Sequence, residues 1–120
     1  MEIAAKSLLV LNGALHVFFL VLEMVLWTRP YGMKRFNLTP EKAEATKVLA
    51  ANQGLYNGFL AAGLFWSAFA SAPLATPLRL FFAGCVLVAG LYGGATASRS
   101  IFFVQAVPGA LALVVSLLAG

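Results

Sequence analysis

Residues 3–27 read IAAKSLLVLNGALHVFFLVLEMVLW, an apolar run interrupted by Lys6, Asn12, His16 and Glu23. It exceeds the roughly 20 mainly apolar residues that a helix needs to cross a bilayer. Glu23 gives the run its interest, because an ionisable side chain inside a membrane helix costs on the order of 2.5–3.5 kcal/mol on insertion scales. Something in the molecule must offset that cost. At about 100° per residue, Asn12, His16 and Glu23 fall within roughly 40° of one another, so they form one polar stripe on an otherwise apolar helix.

The rest of the chain has the same character. Of its 120 residues, 62% are hydrophobic and 10% charged, where soluble domains average about 25% charged residues. Further apolar runs cover residues 48–69, 78–96 and 101–118. These runs predict an all-α polytopic membrane protein of one domain over residues 1–120. Its four transmembrane helices, about 3–27, 40–70, 78–97 and 100–118, are expected in an up-down-up-down antiparallel bundle. A secretory signal is the competing reading of the first run. It is too long for a signal h-region, however, and no A-x-A-like cleavage site follows. The single cysteine, Cys85, allows no disulfide within the chain and no cysteine-based metal set. No cofactor or metal is expected.

The net charge of +4 follows topology rather than a nucleic-acid partner. Arg29, Lys34, Arg35, Lys42, Lys47 and Arg99 fall in the first and third loops, whereas Lys6 and Arg79 lie on the other side. By the positive-inside rule those two loops are cytoplasmic, and both termini of a multi-pass cell-membrane protein lie outside. In the long first loop, Tyr31 and Phe36 stand among basic residues, a composition suited to anionic headgroups. Thr39-Pro40-Glu41 then supplies an N-cap, a proline at the first helical position and an acid in the first turn. Helix two is therefore expected to start outside the membrane. In helix three, Ala89, Gly90, Gly93 and Gly94 form overlapping small-x-x-x-small pairs that let backbones approach, within the bundle or between copies.

Polar residues recur in every run. The second carries Asn52, Gln53, Tyr56 and Asn57, the third Tyr92 and Thr96, and the fourth Gln105, three residues before Pro108. With about 1.5 Å rise per residue, Glu23, Asn52, Tyr92 and Gln105 each lie roughly 6 Å in from the same end of their spans. His16 and Asn57 lie deeper, at roughly 16 and 14 Å. The expectation is a polar pocket that opens inward and is sealed by the apolar outer half. Amides alone would serve as an interhelical network that fixes register, at about 0.6 kcal/mol per interaction. The added carboxylate and imidazole point to more than register. His16 and Glu23 are the candidate catalytic pair, about 10.5 Å apart along the axis, so an acid and a base could flank a bound molecule. Asn12, Asn52, Gln53, Tyr56, Asn57, Tyr92 and Gln105 are the candidate ligand-binding residues.

Four stretches carry a resemblance that covers nearly the whole chain: residues 16–24 (HVFFLVLEM), 51–62 (ANQGLYNGFLAA), 85–93 (CVLVAGLYG) and 104–113 (VQAVPGALAL). Together they resemble the domain of unknown function 1304 family of small integral membrane proteins. The resemblance implies a four-helix membrane protein and assigns no role to any residue. The leading functional expectation is a protein that binds a small lipophilic molecule, and acts on it by acid-base chemistry if it is an enzyme. Two alternatives are a proton-coupled transporter working as a dimer and a non-catalytic subunit of a larger membrane complex. The expected partners are the lipid bilayer, a small lipophilic ligand and further copies of the chain in a dimer or trimer.

Overall fold

The computed structural model describes every residue from Met1 to Gly120, and the chain is all-α. Helix α1 (Glu2–Met24) is followed by a short α2 (Pro30–Arg35), then α3 (Pro40–Phe69), α4 (Ala75–Thr96) and α5 (Val107–Ala119). A π-helical turn, Phe102–Ala106, leads into α5.

Local chemistry explains most helix boundaries. The Thr39 hydroxyl accepts the Lys42 backbone N–H at 3.2 Å, so α3 begins on a side-chain cap with Pro40 at its first position. Helix α4 starts at Ala75, earlier than the apolar run, because Pro77 falls in the first turn, where a helix has no use for the missing N–H. Helix α1 stops at Met24, short of Trp27. There the Leu26 N–H reaches back five residues to the Val21 carbonyl at 3.0 Å, and the widened last turn ends the helix. The π turn has a similar geometry, since the Val107 N–H donates to the Phe102 carbonyl. Pro108 accounts for it: the ring crowds the carbonyl four residues earlier, and one wide turn relieves the clash.

Three helical stretches, Glu2–Met24, Ala75–Thr96 and Phe102–Ala119, are long and apolar enough to cross a membrane. Four were expected. Helix α3, at 30 residues, has ample length but not the composition, because Asn52, Gln53, Tyr56 and Asn57 break up its apolar run.

The chain divides into two compact units. The first comprises Met1–Ala14 and Leu60–Gly120. Its core gathers Leu9, Leu64, Ala68, Ala83, Val86 and Ala112, all fully buried, with Leu8, Val10, Phe82 and Leu113 around them. Here α4 and the π turn approach at backbone distance. A Cβ on Gly90 would lie 2.3 Å from the Ala106 backbone nitrogen, so no side chain fits. The glycine-rich face of α4 thus serves packing inside the chain. The second unit is Leu15–Phe59. In it the Trp27 indole N–H donates to the Thr46 hydroxyl at 3.0 Å, and the Trp27 and Phe36 rings meet at 4.8 Å. Those contacts hold the α1–α3 connection against the first turns of α3.

Two glycine substitutions test the close approach. Gly90→Ala is expected to lower the thermal midpoint in detergent by several degrees, as overpacking on the order of 1–3 kcal/mol would. Gly84→Ala, whose Cβ would meet nothing within 4 Å, should leave it unchanged or raise it, since alanine favours helix over glycine. Circular-dichroism melts that coincide for the two variants would refute the backbone contact.

Candidate functional site

The second unit contains His16 and Glu23, the pair that the sequence points to, and it gives Glu23 a different residue, Asn57, as hydrogen-bond partner. Helix α1 presents Glu23 one turn before the Trp27 turn, and α3 presents Gly54 and Asn57 to it. The Asn57 amide nitrogen donates to Glu23 Oε1 at 2.5 Å. Gly54 permits that approach, because a Cβ there would fall 2.4 Å from Met24 Cγ and 3.2 Å from Glu23 Cβ. A carboxylate within an apolar helix therefore meets an amide donor, and its Oε1 is satisfied inside the chain.

Beside this pair lies an open cleft of about 330 Å³, lined among others by Glu23, Trp27, Lys47, Val48 and Asn52. Lys47 at its wall is paired with Glu44 at 2.5 Å, so the rim carries charges of both signs. Asn52 is exposed, and its amide donates to the Val48 carbonyl of its own helix at 2.9 Å. A second hollow, of about 380 Å³, lies at the α3–α4 loop, where Trp66, Phe69 and Pro73 line it without an ionisable side chain.

The remaining candidates are distributed as follows. His16 is buried, its ring edge-on to Phe19 at 5.3 Å. Gln53 is exposed, and Tyr56 is 59% exposed, with its ring 6.1 Å from that of Phe59. Asn12, Tyr92 and Gln105 belong to the first unit. There Asn12 is buried and donates to the Leu8 carbonyl at 2.8 Å and the Pro108 carbonyl at 3.1 Å, tying α1 to α5. Tyr92 is 72% exposed, and its carbonyl accepts the Thr96 hydroxyl at 2.7 Å. Gln105 sits half-buried in the π turn. The structure thus joins Glu23 to Asn57 directly and places Asn52 on the same cleft, while Gln53 and Tyr56 lie on exposed surface. No group of three or more His, Cys, Asp or Glu side chains converges as a metal site.

One polar cluster went unread in the sequence. Arg79, only 3% exposed, offers Nη1 and Nη2 to the Glu2 carboxylate at 2.9 and 2.7 Å. Its Nε donates to the Ser67 carbonyl at 3.0 Å, and Nη2 also reaches the Ala68 carbonyl at 3.3 Å. The guanidinium therefore joins the start of α1, the last turn of α3 and the second turn of α4. Both residues are visible in sequence as charges at the same end of their apolar runs. Their pairing is not, with 77 positions between them.

Comparison with known proteins gives two matches. Residues 10–117 match a family model described as "Protein of unknown function (DUF1304)". An uncharacterized protein named YpaA from Lactococcus lactis subsp. lactis (strain IL1403) is 35% identical over 106 residues, covering 86% of this chain and 88% of that protein. No solved structure matches.

The Arg79 cluster can be tested by substitution. Arg79→Lys keeps the charge but cannot present the planar fork, and should lose on the order of 1.5–3 kcal/mol, as hydrogen bonds to charged groups do. Arg79→Met should lose more, because the α3 carbonyls also lose their donor. Unfolding in mixed micelles measures both, and a wild-type transition for Arg79→Met would remove the cluster from the account of stability.

Proposed function

The chain belongs to the DUF1304 family of proteins of unknown function, and we propose that it is a multi-pass integral membrane protein that holds a small lipophilic molecule by a polar group at Glu23. The observation that carries this reading is the placement of the Glu23 carboxylate. It is held through Oε1 by Asn57 in the wall of an open cleft of about 330 Å³, at the end of an apolar helix. Oε2 makes no hydrogen bond within the chain, so it is the acceptor offered to a hydroxyl or amine donor. Met24, Val25 and Val48 are 44%, 60% and 69% exposed and border the same cleft. They provide an apolar path along which a hydrocarbon tail can pass into lipid.

Known chemistry sets the division of labour. Asn57 orients the carboxylate, Asn52 and Lys47 supply polar contacts at the rim, and Trp27 forms an aromatic wall. If the bound molecule is transformed, Glu23 is the group placed to exchange a proton with it, since His16 does not line the cleft. With α3, long enough at 30 residues though less apolar than the other three, taken as a fourth span and the basic first and third loops in the cytoplasm, the cleft faces inward and both termini lie outside.

Native mass spectrometry of the protein extracted gently from membranes tests the reading. The wild type should retain a lipophile, and Glu23→Gln should lose at least tenfold in occupancy while keeping its helix content. A ligand-free wild type, or equal retention by both proteins, counts against the proposal.

A further inference from the structure

We propose that the outer face of α2 is a docking surface for the phosphate headgroups of anionic phospholipids. Arg29, Lys34 and Arg35 fall within seven residues, and no acidic residue occurs between Glu23 and Glu41. All three cations are exposed, and none forms an ion pair, because the ion pairs of the chain belong to Lys6, Lys47 and Arg79. At about 100° per residue, Tyr31, Lys34 and Arg35 share an arc of roughly 100°, and Gly32, Met33 and Phe36 occupy another about 160° away. The second arc is the packed one. Gly32 is buried, a Cβ on it would collide with the Leu26 carbonyl, and the Phe36 ring stands against Trp27. The first arc is left to the surroundings, with Tyr31 54% exposed between its two cations.

Position and charge select the occupant. Helix α1 has the length and composition of a membrane span, and its last residue is Met24. The close approach of Gly32 to Leu26 folds α2 back over the residues that follow that end. The three cations therefore stand at the level where a bilayer presents its phosphates. Each basic residue near an anionic membrane surface favours it about fivefold, and a tyrosine ring with its hydroxyl suits the same depth. An outward helix face encloses nothing, and no α2 residue lines either hollow, so the arrangement fits a layer of phosphates rather than one captured ion. The inference rests on α1 crossing the membrane, as proposed above, and not on a ligand at Glu23.

Native mass spectrometry of the full chain released from nanodiscs of equal phosphatidylglycerol and phosphatidylcholine tests it. The wild type should carry phosphatidylglycerol over phosphatidylcholine by about tenfold or more, and the combined Arg29→Gln, Lys34→Gln and Arg35→Gln variant should bring the two to within about twofold. Lys6→Gln, which removes a cation at the opposite end of α1, should keep the preference. Parity in the wild type, a preference that survives the triple substitution, or its loss in Lys6→Gln would overturn the docking surface. Inorganic phosphate added to nanodiscs of phosphatidylcholine alone provides the second arm. Phosphate adducts on the wild type that the triple variant lacks would give the cations to a soluble anion, and would overturn it as well. Alkaline carbonate extraction separates the premises: release of the protein overturns the membrane reading and the docking surface together, whereas protein kept in the pellet without a lipid preference overturns the docking surface alone.

Discussion

The Arg79 guanidinium meets a demand that a chain this apolar imposes on each of its few charges. A buried cation needs a counter-charge and acceptors arranged around it, because an uncompensated charge away from water is far more costly than a matched one. Glu2 provides the counter-charge, and the Ser67 and Ala68 carbonyls provide the acceptors. Those carbonyls are among the last of α3, where a helix has no amides left to satisfy them. One side chain thus neutralises an acid at the start of α1 and caps the end of α3 from the second turn of α4. The buried core of Leu9, Leu64 and Val86 then closes between helices whose ends are already tied.

The same demand shapes the second unit in weaker form. Glu23 has an amide for a partner where Glu2 has a guanidinium, and an amide leaves the carboxylate's charge uncancelled. Asn57 meets one oxygen only, and the proposed ligand would complete the other. Gly54 is part of that arrangement, since only a residue without a side chain lets Asn57 reach the carboxylate.

The sequence was most legible where the cause was local. Thr39 and Pro40 mark the start of α3 by capping chemistry within one turn, and the apolar runs mark the helices because membrane length and helical rise are fixed. The cost of Glu23 was also legible, since an ionisable group stands out against its apolar neighbours. Matching of depth along the spans grouped Glu23 with Asn52, Tyr92 and Gln105 and set Asn57 deeper with His16, whereas in the structure Asn57 is the residue bonded to Glu23. What stayed hidden depends on rotation about helix axes and on distant partners. Spacing alone could not tell that Asn57 faces α1 while Tyr56, the adjacent residue, points away from it. Nor could the sequence pair Arg79 with Glu2, because each reads as an ordinary charge at the end of a run. The early end of α1 depends on a single wide turn, which no residue type announces.

The wide turn before Pro108 sets which face of α5 meets the core. A π turn accommodates one residue more than an α turn, so everything after it is rotated about the helix axis relative to an uninterrupted α5. Gly109, Ala112 and Ser116 are buried in that rotated frame. Ordinary α winding over the same residues would swing all three by about 100°, whereas loss of one residue from 102–106 would leave their facing nearly unchanged, because the wide turn absorbs one residue. The phase of α5 is thus set jointly by the width of this one turn and the number of residues in it.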